Sequence, residues 1–150
     1  MDIVKWIVNK DKTTIYETDH KNYLPIHLAA QEGHLSIVKY LITIDKDLRD
    51  SRENHKLTPL HLACCHGHYD VVQFFLSKDP SLIFLKHSNG YTPFHLACIN
   101  NLINIANLIF ENEKASMYEK DKNENAALHL ACCAWDNGDI VDFLGKMEVK

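Results

Sequence analysis

The chain has 150 residues, of which 46% are hydrophobic and 24% charged, and its formal net charge is −4 at pH 7. This charge argues against a nucleic-acid surface, which normally needs a basic stripe. No apolar run approaches the roughly 18 residues of a membrane helix, so we expect no membrane insertion. No secretory signal is visible among the first ten residues. The length suits one compact domain or an elongated array of small units.

The first predicted element is a short helix at the start of the sequence. Residues 1–7 (MDIVKWI) align with residues 35–41 (LSIVKYL) at an offset of 34 positions. This offset predicts that the first helix is the second half of a repeated unit whose first helix is absent. Ile3, Val4 and Ile7 would then cover the apolar face of the next unit. Two interpretations stay open: the chain is a fragment of a longer array, or this helix is a natural N-terminal cap.

A seven-residue motif recurs along the rest of the chain. The two strongest copies are 57–63 (LTPLHLA) and 91–97 (YTPFHLA), and weaker copies lie at 23–29 (YLPIHLA) and 125–131 (NAALHLA). The period is 34 without drift, as shown by the four histidines of the motif: His27, His61, His95 and His129. A fixed period of this size indicates stacked units that share one continuous core.

The best-preserved unit predicts two short helices. Thr58 is a natural N-cap, because its hydroxyl can accept a hydrogen bond from an unpaired amide. Pro59 suits the first helical position, where its missing N–H is not needed. Gly67 is expected to end this helix. The apolar run 71–76 (VVQFFL) forms a second helix, which we expect Pro80 to terminate. The unit is therefore predicted to be a helix, a tight turn, a helix and an extended return.

The second helix of each unit carries one apolar stripe. Its positions are spaced i, i+1, i+4 and i+5, as on one face of a helix. The members 34 residues apart are Ile37, Val71 and Ile105; Val38, Val72 and Ala106; Leu41, Phe75 and Ile109; and Ile42, Leu76 and Phe110. A polar position lies between them, and we expect Lys39, Gln73 and Asn107 to face water.

The last unit departs from the pattern, as terminal repeats often do. Ala126 and Ala127 replace the Thr-Pro pair, and Ile140 lies 35 rather than 34 residues after Ile105. One residue is therefore inserted near positions 135–138. We expect the final helix to run from Ile140 to Leu144 and to end at Gly145.

These motifs identify a resemblance to a known family. The element Thr-Pro-Leu-His-x-Ala is present in full at 58–63, whereas the W-x₂-L-G-x₂-Y pattern of tetratricopeptide repeats is absent. The chain resembles the ankyrin-repeat family over nearly its whole length. The resemblance implies an all-α solenoid of paired antiparallel helices with short β-hairpin-like finger loops. It predicts a single array of a half repeat, three full repeats and a C-terminal capping repeat: 1–19, 20–53, 54–87, 88–121 and 122–150.

The cysteines are expected to be structural. Their odd number and helical placement argue against a disulfide framework: Cys64, Cys65, Cys98, Cys132 and Cys133. Three of them align with Ala30 at the period of 34, and we predict that they are small core residues in a reducing compartment: Cys64, Cys98 and Cys132. A zinc site at Cys64, Cys65, His66 and His68 is not expected, because two adjacent helical cysteines point about 100° apart. We predict no metal and no cofactor.

No catalytic set is predicted. The resemblance to ankyrin repeats implies that the histidine of the motif bonds to backbone or to threonine near the hairpin and braces adjacent units. No nucleophile recurs beside these histidines together with an acidic orienting residue, and no glycine-rich phosphate loop is present. We therefore predict that this chain is not an enzyme.

The resemblance also points to a binding surface, because partners of ankyrin arrays usually bind the concave side. The row before the Thr-Pro pair, expected to be exposed at the finger tips, is Tyr23, Leu57, Tyr91 and Asn125. Two rows on the first helices would form the palm: Gln31, Cys65, Ile99 and Cys133, and Glu32, His66, Asn100 and Ala134. Tyrosine is favoured in interface hot spots, and Ile99 beside Cys65 would make the palm apolar. The alternative is that the tip residues pack on the neighbouring finger.

The predicted function is protein–protein recognition by a monomer. Two alternatives remain: the chain is the substrate-recruiting or targeting segment of a larger enzyme or host-directed effector, or it is a spacer. A cytoplasmic or nuclear location is expected from the reduced cysteines, or the host cytoplasm for an effector.

Overall fold

The computed structural model describes residues 2–134 and 137–148, and within these ranges the regular structure is helical, with no strand. The α-helices are α1 (Asp2–Lys10), α2 (Pro25–Gln31), α3 (Leu35–Ile44), α4 (Pro59–His66), α5 (Tyr69–Lys78), α6 (Pro93–Ile99), α7 (Ile103–Asn112), α8 (Ala127–Cys133) and α9 (Gly138–Glu148). Four 3₁₀ helices follow the second helices: Lys12–Tyr16, Lys46–Asp50, Pro80–Phe84 and Lys114–Tyr118.

The helices form two layers that run the length of the array. Each first helix packs on its own second helix, as α2 does on α3, and also on the next first helix, as α2 does on α4. The second helices contact one another in the same order, α3 on α5 and α5 on α7. The predicted all-α solenoid of paired helices is confirmed.

Helix starts and stops follow the predicted local chemistry. The Thr58 hydroxyl accepts a hydrogen bond from the His61 amide at 3.4 Å, and Pro59 occupies the first position of α4. Thr92 and Pro93 repeat this arrangement at α6. Gly67 follows α4 with φ +82°, a left-handed conformation that glycine adopts without steric penalty. The sequence therefore specifies both ends of this helix.

The predicted stripe of the second helices lies in the core. Its central members are fully or almost fully buried: Val38, Leu41, Val72, Phe75, Ala106 and Ile109. Lys39 and Gln73 are exposed as expected, while Asn107 is half-buried. This continuous apolar row joins the successive repeats into one core.

Pro80 follows the end of the second helix, as predicted, but it starts a 3₁₀ helix where an extended return was expected. Helix α5 ends two residues earlier at Lys78, and the Asp79 carboxylate accepts a hydrogen bond from the Ser81 amide at 3.1 Å. Acidic residues 34 positions apart cap the other 3₁₀ helices in the same way: Asp11, Asp45 and Glu113. Proline at the first position is tolerated because that N–H has no partner in the helix.

Helix α1 confirms the offset of 34, since it is followed by a 3₁₀ helix as α3 is. Of the three residues expected to cover the next repeat, Val4 packs against the core, whereas the expectation is wrong for Ile3 and Ile7. Ile3 is 75% and Ile7 is 42% exposed, and Val8 is the well-buried apolar residue at 5% exposure. The position equivalent to Ile7 in α3, Leu41, is buried because α3 lies within the stack, whereas the described residues place no second helix before α1.

The final helix is longer than predicted. It begins at Gly138 and continues through Gly145 to Glu148. Met147 packs against the core beyond the glycine, which favours continuation of the helix. The site of the predicted insertion, 135–138, lies partly outside the described residues.

Candidate partner-binding surface

Each finger loop is a tight turn closed by two backbone hydrogen bonds. In the second finger the Glu53 amide donates to the Leu57 carbonyl at 3.2 Å, and the Lys56 amide donates to the Glu53 carbonyl at 2.9 Å. The same pair of bonds recurs in the fingers that begin at Asp19, His87 and Asp121. The fourth residue of each turn has a positive φ: Asn22, Lys56, Gly90 and Glu124. These loops are hairpin-like, as predicted.

Acidic side chains stabilise three of these turns from inside. The Glu53 carboxylate accepts hydrogen bonds from the amides of His55 and Leu57 at 2.7 and 2.9 Å. The Asp19 carboxylate accepts equivalent bonds from Lys21 and Tyr23. The bond from the Tyr23 amide lowers the pKa of Asp19 below its ordinary value. The fingers are therefore ordered by their own hydrogen bonds.

One histidine of the motif, His61, links two consecutive repeats. The Thr58 amide donates to Nδ1 of His61 at 3.3 Å, so the ring proton lies on Nε2, which donates to the Tyr91 carbonyl at 3.2 Å. The His27 ring reaches the Ser51 carbonyl at 3.1 Å within its own repeat. Burial lowers the pKa of His61 to about 3. His61 is therefore a neutral brace between repeats, the role that the family resemblance implied.

The tip residues are more enclosed than the sequence suggested. Tyr23, Leu57 and Tyr91 are half-buried rather than exposed. The Tyr91 ring stacks on His95 at 6.0 Å between centroids and meets His87 edge-on at 5.0 Å. Tyr23 and His27 form a similar stack at 5.9 Å. They are enclosed because they lie at the finger base, after the turn, and not at its outermost residues.

The palm rows lie on the last turns of the first helices or directly after them. Gln31, Cys65 and Ile99 are half-buried, whereas Glu32, His66 and Asn100 are exposed. Contacts within and between repeats connect several of them. Nδ2 of Asn100 lies 3.8 Å from the Cys65 sulfur, and the amide of Gln31 donates to Glu32 at 3.1 Å. Their role in binding stays a prediction.

The cysteines differ in burial. Cys64 and Cys98 are fully buried, and burial raises the pKa of both thiols. Cys132, which was expected in the core, is exposed. Its equivalents are covered by the next first helix, whereas the described residues place none after α8. No group of three or more metal-ligating side chains is assembled within the described ranges.

A row of cations at the fingers was not anticipated. Arg52, Lys86 and Lys120 are 34 residues apart, and they line a groove together with Lys56 and Lys122. The spacing was legible in the sequence. It does not stand out there, because acidic and basic residues are intermixed along the chain.

Comparison with known families supports the repeat assignment. A family model described as ankyrin repeats, in three copies, matches residues 1–84 and 80–150, which together span the chain. No curated protein matches the sequence. Within the described residues, no helix has both the length and the apolar character needed to cross a bilayer.

Proposed function

Because the chain belongs to the ankyrin-repeat family, whose repeats are protein–protein interaction modules, we propose that it binds a partner protein through the face formed by the first helices and the finger bases. This is the concave side in ankyrin arrays. The residues assigned to the interface are Tyr23, Gln31, Glu32, Leu57, Cys65, His66, Tyr91, Ile99 and Asn100.

The observation that carries this proposal is the fixed position of the Tyr91 ring. It is held between His87 and His95, yet it is only half-buried. An aromatic side chain that is already ordered loses little conformational entropy when a partner covers it. Aromatic residues of this kind are favoured interface anchors. The exposed polar side chains of His66 and Asn100 would supply hydrogen bonds around the anchors.

We also propose that the chain acts as a monomer and without catalysis of its own. The histidines most suggestive of chemistry, such as His61, are buried and bonded to backbone. Cys64 and Cys98 are buried thiols with raised pKa values, which favours the unreactive protonated form.

The test begins with partners captured from lysate by the wild-type protein and identified by mass spectrometry. The affinity of each partner is then measured for the double variant Leu57→Asp/Tyr91→Ala, with circular dichroism and thermal unfolding as checks of the fold. We expect binding to weaken by about tenfold or more, as for loss of an interface hot spot.

A matched control, Lys39→Ala/Gln73→Ala, alters exposed residues of the second helices. It should leave affinity unchanged. Loss of binding in the control together with retention in the double variant would place the partner on the opposite face and overturn the assignment.

A further inference from the structure

A basic groove of about 320 Å³ crosses the second, third and fourth finger loops, which begin at Glu53, His87 and Asp121. Five of its lining residues are cationic, whereas the chain as a whole has a net charge of −4. The cations are Arg52, Lys56, Lys86, Lys120 and Lys122. The groove therefore reverses the sign of the surrounding protein, which is the condition for attracting an anionic partner to one place.

The two buried carboxylates of these fingers, Glu53 and Asp121, are committed to the turns. Asp121, the acidic residue lining the groove, is buried and accepts hydrogen bonds from the amides of Asn123 and Asn125, each at 2.8 Å. Glu53 is buried and bonded in the same manner. Because these oxygens already have donors, a ligand in the groove would meet the cations rather than acceptors.

Three of the cations form a regular row. Arg52 Nη1 donates to the Lys86 carbonyl at 3.3 Å, and Lys86 Nζ donates to the Lys120 carbonyl at 2.8 Å. Each side chain thus reaches across to the following repeat. Lys86 also contacts Glu119 at 2.8 Å, and Lys120 contacts Glu124 at 3.2 Å. These are surface ion pairs, which contribute little free energy and can exchange for a ligand carboxylate.

The three fingers are held together before any ligand binds. The Ser88 amide donates to the His55 carbonyl at 2.8 Å, and the Lys122 amide donates to the Asn89 carbonyl at 3.2 Å. A Cβ atom added to Gly90 would lie 2.6 Å from the Lys122 nitrogen, so glycine allows the fourth finger to approach the third. A groove that is already ordered loses little entropy on binding.

The spacing of the row defines the ligand. Packed helices lie about 8–10 Å apart, so we expect a similar separation between equivalent residues of adjacent repeats. A polyproline II segment has three residues per turn and rises about 3.1 Å per residue, so every third side chain recurs on one side at about 9 Å. We propose that the groove binds an extended acidic protein segment with Asp or Glu at every third position. This inference rests on the proposed role in protein recognition and adds the chemistry of the partner.

A protein segment is favoured over a nucleic acid by the charge around the groove. The net negative charge of the chain, together with Glu119 and Glu124 beside the row, would repel a continuous polyanion that extends beyond the five cations. A short acidic segment places its charges against the cations alone.

The test uses a fluorescent synthetic peptide of about four polyproline II turns with Glu at every third residue, and an isomer of the same composition with its Glu residues contiguous. Anisotropy titration should show that the wild-type protein binds the periodic peptide about fivefold or more tightly than the isomer, and that salt weakens binding by screening. Arg52→Ser/Lys56→Ser/Lys122→Ser should lower this affinity by about tenfold or more.

The matched control Lys12→Ser/Lys46→Ser/Lys114→Ser removes the same charge from three exposed residues at the starts of 3₁₀ helices. It should retain the affinity of the wild type, and thermal unfolding confirms that both variants fold. Equal affinity for the two isomers, equal losses in the two variants, or tighter binding of a single-stranded oligonucleotide of equal charge would overturn the inference.

The captured protein partner separates this inference from the proposed function. If Leu57→Asp/Tyr91→Ala weakens that partner but the groove variant binds it normally, the inference fails and the proposed interface stands. If the periodic peptide depends on the groove while no captured protein depends on Leu57 and Tyr91, the inference stands and the proposed interface fails.

Discussion

Nε2 of His61 donates a hydrogen bond to the carbonyl of Tyr91, thirty residues further along the chain and in the next repeat. The other ring nitrogen, Nδ1, accepts from the Thr58 amide, so the ring must stay neutral for both bonds to be kept. Burial of the ring also favours the neutral form, because it lowers the pKa of His61. The junction between these repeats is therefore sensitive to protonation.

The first prediction is a loss of stability in mild acid. The pKa of His61 is about 3 in the folded protein, against 6.5 for an unperturbed histidine, so the unfolded state binds the proton first. Stability is thus present above pH 6.5 and is lost as the pH falls toward 3. Between pH 7 and pH 5.5 this residue alone should lower the free energy of unfolding by about 1 kcal/mol.

Urea unfolding at these two pH values measures the change. His61→Gln should flatten the dependence, whereas substitution of the exposed His20 should leave its slope unaltered. An identical slope in His61→Gln and the wild type would contradict the linkage.

The second prediction compares two leucines at equivalent positions. Leu62 is 4% exposed in the middle of the array, whereas Leu28 is 40% exposed near its start. Truncation of a buried leucine to alanine costs about 2–5 kcal/mol, so Leu62→Ala should lower the free energy of unfolding by that amount. Leu28→Ala should cost clearly less, and Gln73→Ala on the surface should cost about 0.5 kcal/mol or less. The losses are measured by chemical denaturation. A loss for Leu62→Ala no larger than that for Gln73→Ala would show that position 62 is not packed.

The third prediction concerns helix α1. Val8 is buried, whereas Ile3 is largely exposed. Val8→Ala should therefore destabilise the protein by about 1 kcal/mol or more, and Ile3→Ala should change it by about 0.5 kcal/mol or less. Deletion of residues 1–8 should lower the melting temperature or cause self-association, because it uncovers the apolar face of the next repeat. Unchanged melting and a monodisperse sample after deletion would show that α1 contributes nothing to the stack.

The fourth prediction contrasts two glycines. Gly90 has φ +85°, and an added Cβ would meet the Lys122 backbone, whereas Gly145 lies inside α9 with nothing within 4 Å of an added Cβ. Gly90→Ala should lower stability by about 1–2 kcal/mol or more, since an L-residue is strained there. Gly145→Ala should raise stability by about 0.5–1 kcal/mol, because alanine loses less entropy in a helix. Calorimetric melting of both variants decides the signs.

The fifth prediction is that the protein does not depend on metal. Cys64 is buried, and its thiol is held in the protonated form by burial, whereas zinc binds the thiolate. The melting temperature of the reduced protein should be the same with and without a chelator. One tightly held zinc per chain in elemental analysis would overturn this interpretation of Cys64, Cys65, His66 and His68.

The repeat could be predicted from the sequence because its period is set by local chemistry. Thr58 and Pro59 start a helix and Gly67 ends it, and these signals depend only on neighbouring residues. The extended return expected after Pro80 is instead a 3₁₀ helix, since a proline that follows one helix also suits the first position of the next. Local signals therefore located the elements better than they specified their type.

Burial at the ends of the array could not be predicted, because it depends on what lies beyond each helix. Ile7 and Cys132 match buried residues of the central repeats in position and chemistry, yet both are exposed. The candidate site shows the same limit. The sequence indicated Tyr91 as a tip residue but gave no sign of its stacking on His95, and the periodicity of Arg52 and Lys86 did not reveal the carbonyl contact that orients the row.

The exposed apolar face of α1 has a kinetic consequence. Helix α1 is held by buried Val8 and partly buried Val4, whereas the helices from α4 to α7 are packed on both sides, so local opening should start at α1. Amide protons of α1 should exchange with deuterium fastest, and those of α4–α7 slowest. Unfolding would then proceed along the array from α1, and the central repeats that carry His61 and Tyr91 would be the last to open.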